Sequence, residues 1–359
     1  MSFLSKLTLV IPTYNRQRYA LRNMHYWSRT TVSVHVLDGS AQPIPAEKMA
    51  GLTANVKYHH FPISLHERFG KAVDLVQTEY AALCGDDEFF LLDALQTCIQ
   101  ELEADEALVS CMGRCLAFQP DSNQIIGWPA YTEVTNYSVH QDDPIARMIH
   151  HMNPFIGSTI YSVIRTPVWK QAMSIMLRKL DYDMLPLSLD QYQFELAVCY
   201  QGKSKVIQNL MWLRSHENDG TYIGLTFHEW WADKKKADER EEFLAIMTSA
   251  LAGSDARKQE SVREGVKAAC EALYEGLGGD RLGLYLTFSK RIPPALKASI
   301  KSILAVIGVK IHKPIEFTKK PLLLAAKDLE ATGVRVDYEQ LSQVVELIRQ
   351  FHELPLHRT

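Results

Sequence analysis

Apolar and polar positions alternate along the first two thirds of the chain between two rhythms. Residues 7–11, 32–37 and 80–84 are short runs, apolar at most positions and rich in β-branched side chains in the first two, the pattern of strands buried on both faces. Residues 55–60 make a weaker third strand, and 108–118, 159–164 and 205–214 read as further ones. Between them the spacing changes to a helical period. Leu65, Phe69, Ala72, Val73 and Val76 fall on one face of a helix over 64–76, and Leu92, Leu95, Ile99 and Leu102 on another. A helix is also predicted through about Trp27, and Asp143-Pro144 and Thr166-Pro167 each supply a proline suited to a first helical turn. Asp190 opens an apolar-rich helix to Tyr200, closed by Gly202, whereas 119–143 loses all periodicity and is expected to be loop. Strands alternating with helices imply parallel pairing through right-handed crossovers, which gathers the strand tips on one edge of an α/β sheet.

Those tips carry the chemistry. The first run ends in Pro12-Thr13-Tyr14-Asn15-Arg16, the second in Asp38-Gly39-Ser40, and the fourth in Gly85-Asp86-Asp87-Glu88. Open α/β sheets bind ligands in the crevice outside the carboxyl ends of their strands. Consecutive carboxylates repel one another there, so a bound cation or cationic partner is one reading. The other makes Asp86 the cap of the next helix, with Asp87 and Glu88 favoured by its dipole.

The length of 359 residues, 47% hydrophobic, suffices for a full core and suggests a sheet domain over 1–226 followed by a mainly helical region over 227–359. A net charge of -3 gives no general attraction to nucleic acid, and no nucleic-acid partner is expected. Six cysteines without a C-x-x-C pair point to buried thiols of a reducing compartment rather than zinc or disulfides. With neither a signal-peptide pattern nor an apolar run near the roughly 20 residues that span a bilayer, a cytoplasmic location is expected. Residues 281–327 hold ten lysines and arginines against one acid, Glu316, around a stripe of Leu296, Ile300, Ile303, Leu304 and Ile307. That stripe either packs on the sheet domain or makes peripheral contact with the inner face of an anionic membrane.

The order and spacing of the three tips resemble the GT-A fold of nucleotide-sugar glycosyltransferases, most closely the inverting family 2 enzymes. Val10-Ile11-Pro12-Thr13-Tyr14-Asn15-Arg16 stands where that family has its opening strand, and Glu79-Tyr80, a short strand and Asp86-Asp87-Glu88 stand where it has its D-x-D-type motif. The resemblance runs from about Lys6 to Asp219. It implies a Rossmann-like, mixed but mostly parallel sheet flanked by helices, with a C-terminal helical extension. It also implies a metal-dependent inverting transferase, of the hexosyl or N-acetylhexosaminyl class, acting in polysaccharide biosynthesis. Such an enzyme moves sugar from a UDP donor, as co-substrate, to a glycan or lipid-linked acceptor. By position Pro12, Thr13, Tyr14, Asn15, Arg16 and Asp38 would hold the nucleotide, Asp38 reading the uracil edge, with Asp86 on the ribose and Arg68 or Lys71 as a basic partner. Asp87 would take Mn²⁺ or Mg²⁺, Glu88 directly or through water, and His216 would be a further ligand, an imidazole suiting Mn²⁺ better. The base that inversion requires corresponds to Asp190, with Glu195 as competitor because Leu189 replaces the acid the family usually has before it. Trp128, Tyr131 and Asn153-Pro154-Phe155 would flank the acceptor. Two other functions remain open: a nucleotidyltransferase acting on a sugar phosphate, which wants a glycine-rich loop that Pro12-Thr13-Tyr14-Asn15 is not, and an inactive sugar-binding scaffold. The oligomeric state is not legible.

Overall fold

The computed structural model describes residues 2–135, 137–157, 159–178, 189–218, 225–277 and 318–354. The chain opens with β1 (Leu7–Thr13), α1 (Gln17–Trp27), β2 (Ser33–Asp38), β3 (Val56–His60), α2 (Leu65–Leu75) and β4 (Tyr80–Leu83). It continues through β5 (Phe89–Phe90), α3 (Leu92–Ala104), β6 (Leu108–Asp121), β7 (Gln124–Ala130), β8 (Ser138–Val139), α4 (Pro144–Met152), β9 (Val163–Arg165), α5 (Thr166–Met176), α6 (Leu189–Gln201) and β10 (Lys203–Ser215). Beyond these lie α7 (Phe227–Ala232), α8 (Ala237–Ala252), α9 (Ala256–Gly276), β11 (Lys320–Pro321), α10 (Leu322–Glu330) and α11 (Tyr338–Phe351).

The fold is a mixed α/β one, as expected, with a mostly parallel central sheet flanked by helices. The strands run β11-β7-β6-β9-β4-β1-β2-β3, and β10 lies on the free side of β6. β1 pairs in parallel with β2 and β4, β2 with β3, and β6 with β10, while β9 is inserted antiparallel between β4 and β6. The alternation along β1 shows why the sheet is doubly covered. Leu7, Leu9 and Ile11 pack on one face, among residues of α1 and α3, whereas Val10 joins the other, under α2, α5 and α6. Ser64 caps α2 through a reciprocal pair with Glu67, so the turn after β3 is fixed before the helix meets the sheet.

Two expectations change. The segment 119–143 is not all loop: β6 extends to Asp121 and turns into β7, which runs back antiparallel to it. Gly127 and Pro129 disguised that strand, and Gly127 is required by packing, since a Cβ there would come within 2.4 Å of the Leu322 side chain and 3.1 Å of the Ala117 carbonyl. Asp86 does not cap a helix either. β5 intervenes, and α3 begins only at Leu92.

The chain after residue 227 packs in two places. Phe227, Trp230, Phe243, Met247, Val262 and Val266 complete the apolar layer over α4, α5 and α6, while Leu322, Ala326, Leu341, Val344 and Ile348 cover β6, β10 and β5. A register shift in β10 between Val206 and Leu210 lets Arg335 bond the strand on both its amide and its carbonyl. Most of the basic 281–327 segment, including the stripe from Leu296 to Ile307, lies outside the described residues. Among those described, no helix is long and apolar enough to cross a membrane.

Gly113 sits opposite that shift, where an added Cβ would approach the Asn209 carbonyl to 2.5 Å and the Met211 Cβ to 2.6 Å. Gly113→Ala should therefore cost about 1–3 kcal/mol by forcing β6 and β10 apart. Urea denaturation measures it, and an unchanged midpoint would mean the strands separate freely.

Candidate functional site

The tips of β1, β4 and β10, with the start of α2, surround a cleft of about 620 Å³ lined among others by Thr13, Tyr14, Arg16, Arg68, Asp86 and Asp87. Its far wall is Arg214, Ser215, His216 and Asn218, at the end of β10 and just past it.

The acidic turn is built from the side of α1. Asn23 Nδ2 donates to the Gly85 and Glu88 carbonyls at 3.2 and 2.6 Å, Arg22 Nη2 to the Asp87 carbonyl at 3.0 Å, and Tyr26 to the Phe90 carbonyl at 2.8 Å. Arg22 is itself held by Glu217 in a two-pronged pair at 2.7 and 2.5 Å, with both side chains almost fully buried. His352, past the end of α11, reaches the same carboxylate at 2.5 Å, and the Phe351 ring lies 4.5 Å from the Arg22 guanidinium. None of these contacts was visible from motif spacing. The available signal was Arg22 and Asn23 sitting in the apolar stripe of α1 beside Ala20, Met24 and Trp27.

Side chains of the turn then diverge. Asp86 accepts from Thr13 Oγ1 at 2.7 Å and from Arg16, whose guanidinium also lies 2.8 Å from Asp87. Burial raises the Asp86 pKa despite Arg16, and the two carboxylates in turn raise that of Arg16 against its own burial. Asp87 receives Asn218 Nδ2 at 2.7 Å. Glu88 turns inward to accept the Trp212 indole N–H at 2.9 Å, the indole being stacked between Tyr131 and Tyr161. Burial, with repulsion from Asp87, pushes its pKa to about 8.

Arg68 lies across the tips of β1 and β2, donating to the Thr13 and Leu37 carbonyls at 2.7 and 2.8 Å. Gly39 permits this, because a Cβ there would stand 2.6 Å from the guanidinium carbon. Asp38 is fully buried and is not in the cleft wall. It accepts from the Ser40 amide at 2.8 Å, from Tyr58 at 2.7 Å and from Gln17 at 2.6 Å; burial works against its charge, but these bonds outweigh it and lower the pKa. Asn15, with a left-handed φ of 56°, donates its amide to Ser40, and Tyr14 is 60% exposed over the cleft.

The two candidate bases differ sharply in access. Asp190, in the first turn of α6, does not line the cleft itself; its side chain is 46% exposed and lies 3.1 Å from His66 Nε2, one residue from the cleft-lining Leu65. Glu195 has no exposure: its oxygens are taken by His151 at 2.6 Å and Gln191 at 2.7 Å, and the structure does not bring it to the cleft. Trp128 contacts the His216 ring at 4.9 Å beside the cleft, whereas Phe155 packs against Tyr192 and His151 in the core.

A divalent cation fits this donor set only in part. Among the described residues no three of His, Cys, Asp or Glu converge on one point. Asp87 and His216 line the same cleft, and burial together with Arg214 lowers the imidazole pKa, keeping it neutral as a ligand must be. Glu88 lines the same cleft, with one carboxylate oxygen taken by the Trp212 indole N–H.

No protein-family model matches the sequence, and no curated protein does. Among solved structures the chain is similar to S. aureus TarS 1-349 in complex with UDP, at 13% identity over 81% of this chain and 76% of that one, with a TM-score of 0.47. It is similar also to S. aureus TarS 1-349, at 10% identity over 77% and 91%, and to its complex with UDP-GlcNAc, at 11% over 77% and 92%, both with TM-scores of 0.43. Overlaps at this level assign this chain neither an activity nor a ligand.

Two measurements follow from the geometry. Glu88 keeps its proton to about pH 8 when folded but only to about 4.5 when unfolded, so its contribution is full below pH 4.5 and is lost as pH rises through 8. Thermal midpoints should fall between pH 6 and pH 9 more steeply in the wild type than in Glu88→Gln, and parallel curves would place the titration elsewhere. Arg22→Met takes from the buried Glu217 its two-pronged partner, leaving it only His352 and Ser215, and should cost about 3–5 kcal/mol, part of it recovered in Arg22→Met/Glu217→Leu; urea titrations in which the double variant is no better than the single would contradict this.

Proposed function

We propose that the protein is a GT-A-type inverting glycosyltransferase that moves a sugar from a nucleoside diphosphate, UDP by its resemblance, to a glycan or lipid-linked hydroxyl. The observation that carries this reading is one cleft in which Arg16, Arg68 and Arg214 face the Asp86–Asp87 pair beneath an exposed aromatic ring, Tyr14. Arg16, Arg68 and Arg214 give the cleft three guanidiniums, fork-shaped donors suited to a diphosphate, beside the carboxylates of Asp86, Asp87 and Glu88.

In this reading Tyr14 stacks on the base. Arg68, whose Nη1 is held by the Thr13 and Leu37 carbonyls, turns its other guanidinium nitrogen, Nη2, to the base edge or the phosphates, and Asp86 accepts from the ribose hydroxyls. Asp38 acts from behind, fixing Ser40 and thereby Asn15, rather than by touching uracil. A bound Mn²⁺ or Mg²⁺, held by Asp87 and His216 with diphosphate oxygens completing its ligands, would neutralise charge on the leaving group. Asp190 takes the proton of the acceptor hydroxyl, whose oxygen forms the new bond to the anomeric carbon as the bond to the diphosphate oxygen breaks on the opposite face. Exposure favours Asp190 over Glu195, since a carboxylate sealed against His151 and Gln191 has no route to a substrate proton.

Calorimetry with UDP separates binding from chemistry. Asp86→Ala and Arg68→Gln should each weaken UDP binding at least about tenfold, the loss of one charge-assisted hydrogen bond. Asp190→Asn should keep UDP affinity while transfer, or slow hydrolysis of the donor sugar, falls about 10²-fold or more. A wild-type protein that binds no nucleotide would sink the proposal, and full turnover in Asp190→Asn would remove the assigned base.

A further inference from the structure

Among the described residues, the other buried arginines are accounted for. Arg147, 7% exposed, donates to the carbonyls of Gln141, Asp142, Cys199 and Tyr200, Arg22 has Glu217, and Arg68 faces the cleft. Arg114 on β6 is the exception. It is 3% exposed, its Nη1 donates at 3.0 Å to the neutral amide of Gln208, and its Nε has no partner. Among the described residues it makes no ion pair, although a guanidinium keeps its charge under all ordinary conditions. Leaving such a charge buried without an anion costs several kcal/mol.

Arg114 lines a second cavity, of about 430 Å³, between β6, β7 and α10. Hydroxyl-bearing Thr132, Thr135, Thr318 and Thr332 share its wall with Lys320, and the one acid there, Asp328, is already paired with Lys320. Phe118, whose carbonyl receives the His216 amide at the catalytic cleft, lies four residues further along β6, about 13 Å at the usual strand rise. The two cavities share no lining residue.

We propose that this cavity is a second ligand site, taking an oxyanion, a phosphate or carboxylate group, carried by a hydroxylated small molecule or sugar unit. Arg114 supplies the buried charge that the oxyanion neutralises, and the threonine hydroxyls meet the ligand's own hydroxyls. A volume of about 430 Å³ suits a sugar-sized ligand rather than a bare ion. The site does not depend on the activity assigned to the cleft.

Thermal shift of the full chain against inorganic phosphate, glucose 6-phosphate, glucuronate and uncharged glucose tests it. The midpoint should rise with the concentration of a charged sugar and not with glucose. Comparing glucose 6-phosphate with glucuronate identifies the anion, and inorganic phosphate alone should act more weakly. Arg114→Gln should weaken the effect at least tenfold, Arg114→Lys should retain part of it, and Asp87→Ala should leave it intact. Without ligand, Arg114→Gln should not lower the midpoint, because it removes an uncompensated charge. If Arg114→Gln does not fold, the rim pair Lys320→Gln and Thr332→Val takes its place, each predicted to weaken the response. No response in the wild type to any anion, or a response that survives these changes, overturns the proposal.

Discussion

Helix α1 holds the acidic turn by its backbone, and the rest of the site depends on that grip. Carbonyls of Gly85, Asp87, Glu88 and Phe90 all accept from side chains of Arg22, Asn23 and Tyr26. Between a strand that ends at Leu83 and a helix that begins at Leu92, this segment has few ladder bonds of its own, and buried carbonyls must be satisfied. Bonding the main chain from behind leaves the three carboxylates, all of which line the cleft, free to take different partners: Asp86 accepts from Thr13 and Arg16, Asp87 from Asn218, and Glu88 from the Trp212 indole. The distribution of charge in the cleft follows from backbone hydrogen bonding before any ligand is considered.

The same grip ties the end of the chain to the site. Arg22 pairs with Glu217 at a depth where an unpaired guanidinium is costly, and Glu217 in turn collects His352. Phe351 closes over Arg22, so the last helix is part of the wall behind the acidic turn rather than an appendage. Its apolar face reaches the sheet because the irregularity in β10 opens that strand to Arg335. The cavity beside Arg114 is lined by β6 and by the C-terminal segment itself, whereas the cleft meets that segment only indirectly, through Arg22 and Glu217 behind the acidic turn.

Much of this was legible in the sequence where the physics is local. Apolar runs gave β1, β2, β4 and β10, parallel pairing brought Thr13, Asp38 and Asp86 to one edge, and the proline-headed helices began where Asp143 and Thr166 placed them. What was not legible depends on partners far along the chain. Asp38 spends its oxygens on Ser40, Tyr58 and Gln17, Glu88 is turned inward by an indole 124 residues away, and Glu195 is sealed by a histidine 44 residues before it. β7 was missed because the glycine and proline that resemble loop punctuation are there to let Leu322 approach and to edge the ladder. Carboxylates that look equivalent in a motif are separated into cleft, scaffold and core only by what surrounds them.

A crystal structure of the protein with UDP tests the central claim most directly. The account predicts the base against Tyr14, the ribose hydroxyls on Asp86 and the diphosphate among Arg16, Arg68 and Arg214, with the main chain of residues 85–88 unmoved against α1. A nucleotide bound elsewhere, or an acidic turn that leaves Arg22 and Asn23 to receive it, would contradict it.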